Sequence, residues 1–214
     1  MGLESYRRHV AEAKHAAIVE AAKSEFLEKG FSRAAMVDIS KKADVSTATL
    51  YKHFRSKEEL FDAIIDETFS SLSSNLTPEQ FGFTLEEAAK MPIEDVLTRV
   101  GHTILRIQFD HRVNDLMRVV IAECVANPEI GRKFYDRTLK VRFDLLVEFL
   151  RHLAEQGRLD VDDPEIAAQI IMGTFKEMFI WPTLFKPSNT LPDDTDERMR
   201  RGLKIFFKAF GKRT

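Results

Sequence analysis

The chain has 214 residues, 44% hydrophobic and 31% charged, with a formal net charge of −2. That suits one or two globular domains and excludes a polycation that coats nucleic acid along its whole length. One cysteine excludes an internal disulfide framework and fits a reducing compartment. No run approaches the roughly 18 apolar residues of a membrane span, and the first residues lack a long apolar leader, so no membrane partner and a cytoplasmic location are expected. Charge is uneven along the chain: residues 1–60 carry a net +2 and the remainder −4, which favours an anionic partner for the N-terminal part.

Met1 to about Glu12 is polar, includes Arg7, Arg8 and His9, and reads either as a frayed tail or as a basic arm. The spacing predicts a helix from Ala13 to Lys29, with Ala17, Ile18, Ala21, Ala22, Phe26 and Leu27 inward. Gly30 ends it as a C′ residue, and Phe31 is expected to pack back against the next helices. Asp38 to Leu60 carries the most specific pattern. Ile39 and Ala43 lie four apart on one face of a short helix. Ser46 is an N-cap for a second short helix, in which Leu50 and Phe54 point inward. Ser56 and Glu59 form the Ser-x-x-Glu capping box of a third, longer helix. Two short helices joined by a tight turn are the grammar of a helix-turn-helix, here about residues 35–54.

With Leu50 and Phe54 inward, Thr47, Ala48, Tyr51 and Lys52 face solvent. Small, hydroxyl-bearing, aromatic and basic residues suit entry into a major groove. His53 and Lys57 flank that face with further donors, and Lys57 sits in the first turn of a helix whose free amides favour phosphate. An ordinary polar surface explains any one of these residues; the arrangement is what points to DNA. The candidate DNA-binding set is Ser46, Thr47, Ala48, Thr49, Tyr51, Lys52, His53 and Lys57. Base readout is expected from Thr47 and Ala48, with Lys52 as the longer-reaching candidate.

The phrase Thr-Leu-Tyr-Lys-His-Phe-Arg-Ser-Lys-Glu-Glu-Leu closely resembles the signature of TetR-family transcriptional regulators. Ala-Asp-Val-Ser before it, and Gly30-Phe31 with Asp38-Ile39 eight residues on, match as well, so the resemblance covers about Ala13 to Phe69. It implies three DNA-binding helices followed by about six more, phosphate contacts from Tyr51 and Lys57, a polar arm that can touch DNA, and an apolar pocket in the second domain. Three positions depart from the family pattern. Ala35 stands where Ser or Thr usually caps the first short helix, Ser40 where Ala is usual, and Asp44 where Gly is usual in the turn. Loss of the cap costs on the order of 1 kcal/mol, while Asp tolerates the left-handed turn better than most residues.

Lys57 to about Leu76 reads as a linking helix with Leu60, Phe61, Ile64, Ile65, Thr68 and Leu72 buried. A looser segment, 70–92, contains a second capping box, Thr84 to Glu87. Pro92 to about Asp110 reads as helix with Ile93, Val96, Leu97, Val100, Ile104 and Ile107 inward, and Asn114 to Val125 as an apolar helix. Asn127-Pro128 and Asp163-Pro164 are start signals for helices reaching Gln156, with Gly157 as stop, and about Leu184. A last helix carries Met199, Leu203, Phe206, Phe207 and Phe210 inward and stops at Gly211. Val-Ile-Ala-Glu-Cys, Asn-Pro-Glu, Lys-Phe-Tyr and Gly-Arg-Leu-Asp-Val-Asp-Asp-Pro-Glu resemble the AefR-type branch, from Leu116 to about Gly173.

The fold class is therefore all-α, about nine helices. A three-helix DNA-binding domain over 12–72 precedes a larger helical ligand-binding and dimerisation domain over 73–214. No phosphate loop, His-x-x-x-His, Cys-x-x-Cys or Gly-x-Ser-x-Gly is present, so no enzyme, metal or cofactor is expected. Cys124 reads as a small core residue, His152 as surface, and His102 and His111 do not share a metal-ligand spacing. Glu123 and Glu177 sit in apolar helices and read either as exposed edge residues or as buried, ligand-selecting carboxylates. Phe109, Met117, Met172, Phe175, Met178, Phe179, Trp181 and Phe185 fill a core and an interface, and some line a pocket. The candidate ligand set is His102, Arg106, Phe109, Met117, Glu123, Phe175, Met178 and Trp181. The expected partners are double-stranded operator DNA, a small-molecule effector, and a second copy of the chain docked through the last two helices. Two rival readings stay open: a helical ligand-binding protein that has lost DNA binding, with Ala35 and Asp44 as its motivation, and an enzyme whose site is assembled from residues scattered in the sequence, which the missing motifs weaken.

Overall fold

The computed structural model describes residues 3–73, 82, 84–110, 113–186 and 190–211. Its elements are α1 (Leu3–Lys29), α2 (Met36–Lys42), α3 (Thr47–His53), α4 (Lys57–Ser73), α5 (Leu85–Lys90), α6 (Ile93–Asp110), α7 (Val113–Glu123), α8 (Pro128–Phe134), α9 (Val141–Glu155), α10 (Pro164–Phe175), α11 (Trp181–Phe185) and α12 (Thr195–Phe210). Two π-helical segments, Tyr135–Lys140 and Lys176–Ile180, join α8 to α9 and α10 to α11. Pro182 supplies a reason for the second: it has no N–H to give the carbonyl four residues back, and a wider turn accommodates the loss. The fold is all-α. No described helix is long and apolar enough to cross a membrane.

The chain forms two compact units, Met1–Ser70 with Asp115–Phe134, and Ser71–Asn114 with Tyr135–Thr214. The grouping differs from a single cut near residue 72, because most of α7 and all of α8 pack with the N-terminal helices. The boundaries between the units fall within α4, within α7 and between α8 and the π segment that follows it.

In the first unit, Ile18, Ala22, Phe26, Ile39, Leu50, Leu60, Phe61, Ile64 and Leu116 are buried. Phe26, Phe31 and Phe61 form a three-ring cluster with centroids 5.3–5.7 Å apart. The expected arm is helical: α1 begins at Leu3, ten residues before the predicted start. Ala17 is exposed and Val19 buried, which corrects the inner stripe of α1 by one position. Gly30 takes φ +81°, as a helix-ending glycine should. α8 is fastened to α4 by Lys133 Nζ, 2.7 Å from Asp62 Oδ2. α7 approaches α8 closely, since a Cβ on Gly131 would lie 2.9 Å from Cys124 Cβ. Cys124 is only half-buried, which corrects its assignment to the core.

In the second unit, Leu97, Leu150, Phe179, Met199, Leu203 and Phe206 anchor the core. The phase of α6 differs from the expected one. Gly101, Leu105, Gln108 and Phe109 are buried, while Ile104 is 41% exposed. The reason is Gly101, whose bare face meets Met199 and Phe175; a Cβ there would be 3.0 and 3.2 Å from their side chains. A glycine and buried polar residues do not register in hydrophobic periodicity. Asp163 caps α10 by accepting from the amides of Glu165 and Ile166 at 3.0 and 3.1 Å, and the Thr84–Glu87 capping box is complete. Arg158 donates to the carbonyls of Ala88 and Met91 and secures the end of α5.

Candidate nucleic-acid interface

The helix-turn-helix is built by α2, a four-residue connection and α3. Ala35 is the N-cap of α2 and gives no side-chain hydrogen bond, as its methyl group dictates. Ser46 caps α3, accepting from the Thr49 amide at 3.1 Å. Asp44 occupies the turn at φ +53°, the left-handed conformation that the usual glycine would take freely. Ser40 is buried, and its hydroxyl lies 2.9 Å from the Val37 carbonyl and 3.2 Å from Thr47 Oγ1. The departure at Ser40 thus ties α2 to the first turn of α3. At the start of α4, Ser56 accepts from the Glu59 amide at 3.2 Å, but the Glu59 carboxylate accepts from the Arg55 amide, at 2.7 Å, one residue short of a reciprocal box.

These contacts sort the expected DNA-binding residues. Ala48, Tyr51 and Lys52 are exposed, Tyr51 by 50%. Thr47 is half-buried, with its hydroxyl turned to Ser40. The Ser46 and Thr49 hydroxyls face each other at 2.8 Å. His53 packs near His15 of α1, with ring centroids 6.0 Å apart. Burial first, then the neighbouring His15, Lys52 and Lys14, hold the His53 imidazole below its ordinary 6.5, so it is neutral at neutral pH. Lys57 is placed differently from the expectation. Its ammonium donates to the carbonyls of Ser32 and Ala34 at 3.1 and 3.2 Å and lies 4.6 Å from the Phe31 ring centre. It holds the α1–α2 loop instead of projecting into solvent.

The same loop is held from its other side. Glu123, at the end of α7, accepts from the Ser32 amide at 3.0 Å and from the Ser32 hydroxyl at 2.5 Å. The Ser32 hydroxyl, chiefly, keeps the carboxyl below its ordinary 4.5; the Ser32 amide, Lys57 and Arg33 add to this against the opposing effect of burial. Glu123 is therefore a buried carboxylate with an internal partner, which corrects its place in the ligand set. Glu177 is exposed. Sequence reasoning missed Ser32: its partner is 91 positions away, and no local pattern announces it.

The remaining expected ligand residues are scattered over the second unit and α7. His102 Nε2 lies 3.4 Å from Asp196 Oδ1. Arg106 is exposed, Phe109 buried and Met117 half-buried. Phe175 packs beside Gly101 and Met178 beside Gly202. Trp181 is 45% exposed, with its ring 6.4 Å from that of Phe185. His111 falls outside the described residues, as do the side chains of Phe69, Leu72 and Ile107. Among the described residues no group of His, Cys, Asp and Glu is arranged to hold a metal ion.

An exposed recognition helix on this three-helix scaffold defines a helix-turn-helix DNA-binding protein. Residues 18–64 match the model of bacterial regulatory proteins of the tetR family, and residues 95–212 match that of the AefR-like transcriptional repressor C-terminal domain. The chain belongs to the TetR family, in its AefR-like branch; it is a DNA-binding transcriptional regulator and not an enzyme. It is 26% identical to the HTH-type regulator YvkB of Bacillus subtilis over 165 residues, 76% of this chain and 79% of that protein. It is 36% identical to the HTH-type transcriptional repressor DhaR of a Mycobacterium species over 76 residues, 36% of each chain. Among solved structures, a TetR-family regulator of Mesorhizobium loti superposes with a TM-score of 0.81 at 23% identity, covering 94% of this chain and 98% of the other. The flavonoid-responsive regulator FrrA superposes at 0.71 with 30% identity and the same coverage.

Proposed function

We propose that the protein is a homodimeric repressor that occupies a near-palindromic operator and is released by a small, largely hydrophobic or aromatic ligand. The observation that carries the DNA half is α3, which presents Ala48, Tyr51 and Lys52 to solvent on a scaffold tied by Ser40 and Thr47. The dimer half rests on an apolar face of α10 and α12. There Ile166, Ile170 and Ile205 are 47, 42 and 71% exposed. An open groove of about 250 Å³ runs between the two helices, lined by Ile170, Met178, Ile205 and Phe206 among others. Apolar surface of this kind on a pair of long helices suits a four-helix interface around a two-fold axis. Two recognition helices then reach successive major grooves about 34–36 Å apart or somewhat more, and half-sites are inverted repeats. DhaR, named a repressor, supports the direction of control, and FrrA, named flavonoid-responsive, supports release by a small molecule.

The switch runs through helices shared by both units. α4 begins at Lys57 and ends in the second unit, and α7 begins there and ends at Glu123. A ligand that binds the two dimer states unequally tilts these helices and changes the spacing of the recognition helices. A coupling of about 1–3 kcal/mol changes operator affinity roughly 5–150-fold. The test is a gel shift against DNA flanking the protein's own gene, followed by ligand titration at saturating and zero operator. Reciprocity requires operator to weaken ligand binding by the factor by which ligand weakens operator binding. Absence of any shift returns the reading of a ligand-binding protein without DNA binding. A ligand indifferent to operator leaves a repressor governed by its own abundance.

A further inference from the structure

Where the end of α3 meets α1, basic side chains from both helices gather at one place. The His53 ring of α3 lies 6.0 Å, centre to centre, from the His15 ring of α1. Lys52, beside His53 on α3, and Lys14, beside His15 on α1, are close enough to act on the same imidazole. His15 is held from two further sides. Its ring packs 4.9 Å from that of Phe54, and its Nε2 lies 3.3 Å from Glu67 Oε1 of α4. Lys14 and Lys52 are exposed, while His15 and His53 are half-buried.

Like charges at one place repel, and an imidazole can escape by staying neutral. Partial burial, then His15, Lys52 and Lys14, disfavour a proton on His53 in the free chain. Glu67 of α4 meets the group through His15. An anion against the exposed side would reverse the balance. Lys14 and Lys52 would attract it, and it would in turn favour the imidazolium. The partner of this family is DNA, whose backbone carries a negative charge about every 1.7 Å along its axis. Lys52 stands on the recognition helix, and His53 follows it by one residue. A phosphate that meets Lys52 is therefore near the imidazole, which, once charged, can donate a charge-assisted hydrogen bond to it.

We propose that His53 takes up a proton from solvent as the recognition helix settles on DNA, that His15 is the positioning residue for this step, and that the chain consequently binds DNA more tightly in mildly acid than in mildly alkaline solution. This rests on DNA binding alone, independently of the dimer and of the ligand. The sign follows from linkage. Above its value in the free chain and below its value on DNA, His53 is neutral free and charged bound. Binding there takes up at most about one proton per bound protomer, and affinity falls as pH rises. Below that window both states are charged and above it both are neutral, so the dependence vanishes at each end. His15 sets the acid edge, because its repulsion delays protonation of the free chain.

The test is calorimetry of the full chain in buffers of different ionisation enthalpy, which counts the protons taken up. Two probes are used: a duplex from DNA flanking the protein's own gene, and a random-sequence duplex of equal length at low salt. Uptake should approach about one proton per bound protomer between about pH 6 and 7.5 and vanish near about pH 9. Affinity should fall roughly 3- to 10-fold over that range, since a rise of one unit on binding allows tenfold. The salt slope should be steeper at the acid end by about 0.9 per bound protomer. His53→Gln, whatever its affinity, should lose most of the uptake. His15→Gln should keep uptake but shift its acid edge to higher pH, whereas a merely structural His15 would change affinity equally at every pH. Circular dichroism checks that the variants fold; if His53→Gln does not, the wild-type proton count and His15→Gln still decide. No uptake, uptake undiminished in His53→Gln, or a His15→Gln profile parallel to wild type would each overturn the proposal, as would binding to neither duplex.

Discussion

Lys52 and Lys57 stand five positions apart and have different surroundings. Lys52 is exposed on α3, while the Lys57 ammonium is held by the carbonyls of Ser32 and Ala34. Lys57→Met should therefore cost about 1 kcal/mol of stability, read by urea unfolding, and should leave the salt slope of operator binding within one unit of wild type. A slope that falls by about 2, one contact per half-site, would mean that the ammonium leaves the loop for phosphate. Lys52→Ala should weaken some operator variants more than others, and equal weakening of all would remove it from base readout. Glu123 yields a pH prediction. Its folded carboxyl titrates below the ordinary 4.5, so the stability it contributes is fully present above that value and is lost as pH falls through the folded value. The stability gap between wild type and Glu123→Gln should be about 1–2 kcal/mol at pH 7 and should shrink progressively below about pH 4.5. A gap that stays constant to pH 3 would show that the Ser32 contact does not depend on the charge.

At the scale of the element, α2 and the turn carry two local costs that substitution can remove. Ala35 leaves the first amides of α2 without a side-chain cap. Ala35→Ser should gain about 1 kcal/mol, measured as a raised urea midpoint at unchanged slope. Asp44 sits at φ +53°, and Asp44→Gly should gain up to about 1 kcal/mol by relieving left-handed strain. No gain from either would mean that the native contacts of these residues already compensate. The capping signals were legible because they act over three residues, and the Asp163 cap, the Thr84–Glu87 box and the Gly157 stop are all in place. The phase of α6 was not legible. Its buried line runs through Gly101 and Gln108, and only contact with Met199 and Phe175 shows why a glycine belongs there.

At the scale of the molecule, the apolar face on α10 and α12 yields the clearest test. Ile205 is 71% exposed, so Ile205→Glu should leave the isolated fold intact. On the proposed dimer, it should shift the protein from dimer to monomer in sedimentation at micromolar concentration and abolish stable operator binding. A dimer that survives Ile205→Glu would move the interface elsewhere.

The amino-acid sequence alone determined the helical class, the helix-turn-helix with Ser46 at its cap, and the inward residues Leu50, Phe54, Leu60 and Ile64, because these follow from spacings of three and four along one chain. Tertiary structure alone decided which side chains are available for binding. Ser32 and Glu123 lie 91 positions apart, and His15, His53 and Glu67 come from three separate helices. A hydrogen bond acts over about 3 Å, and pairing at that range between distant segments depends on how the helices pack, which no local periodicity contains.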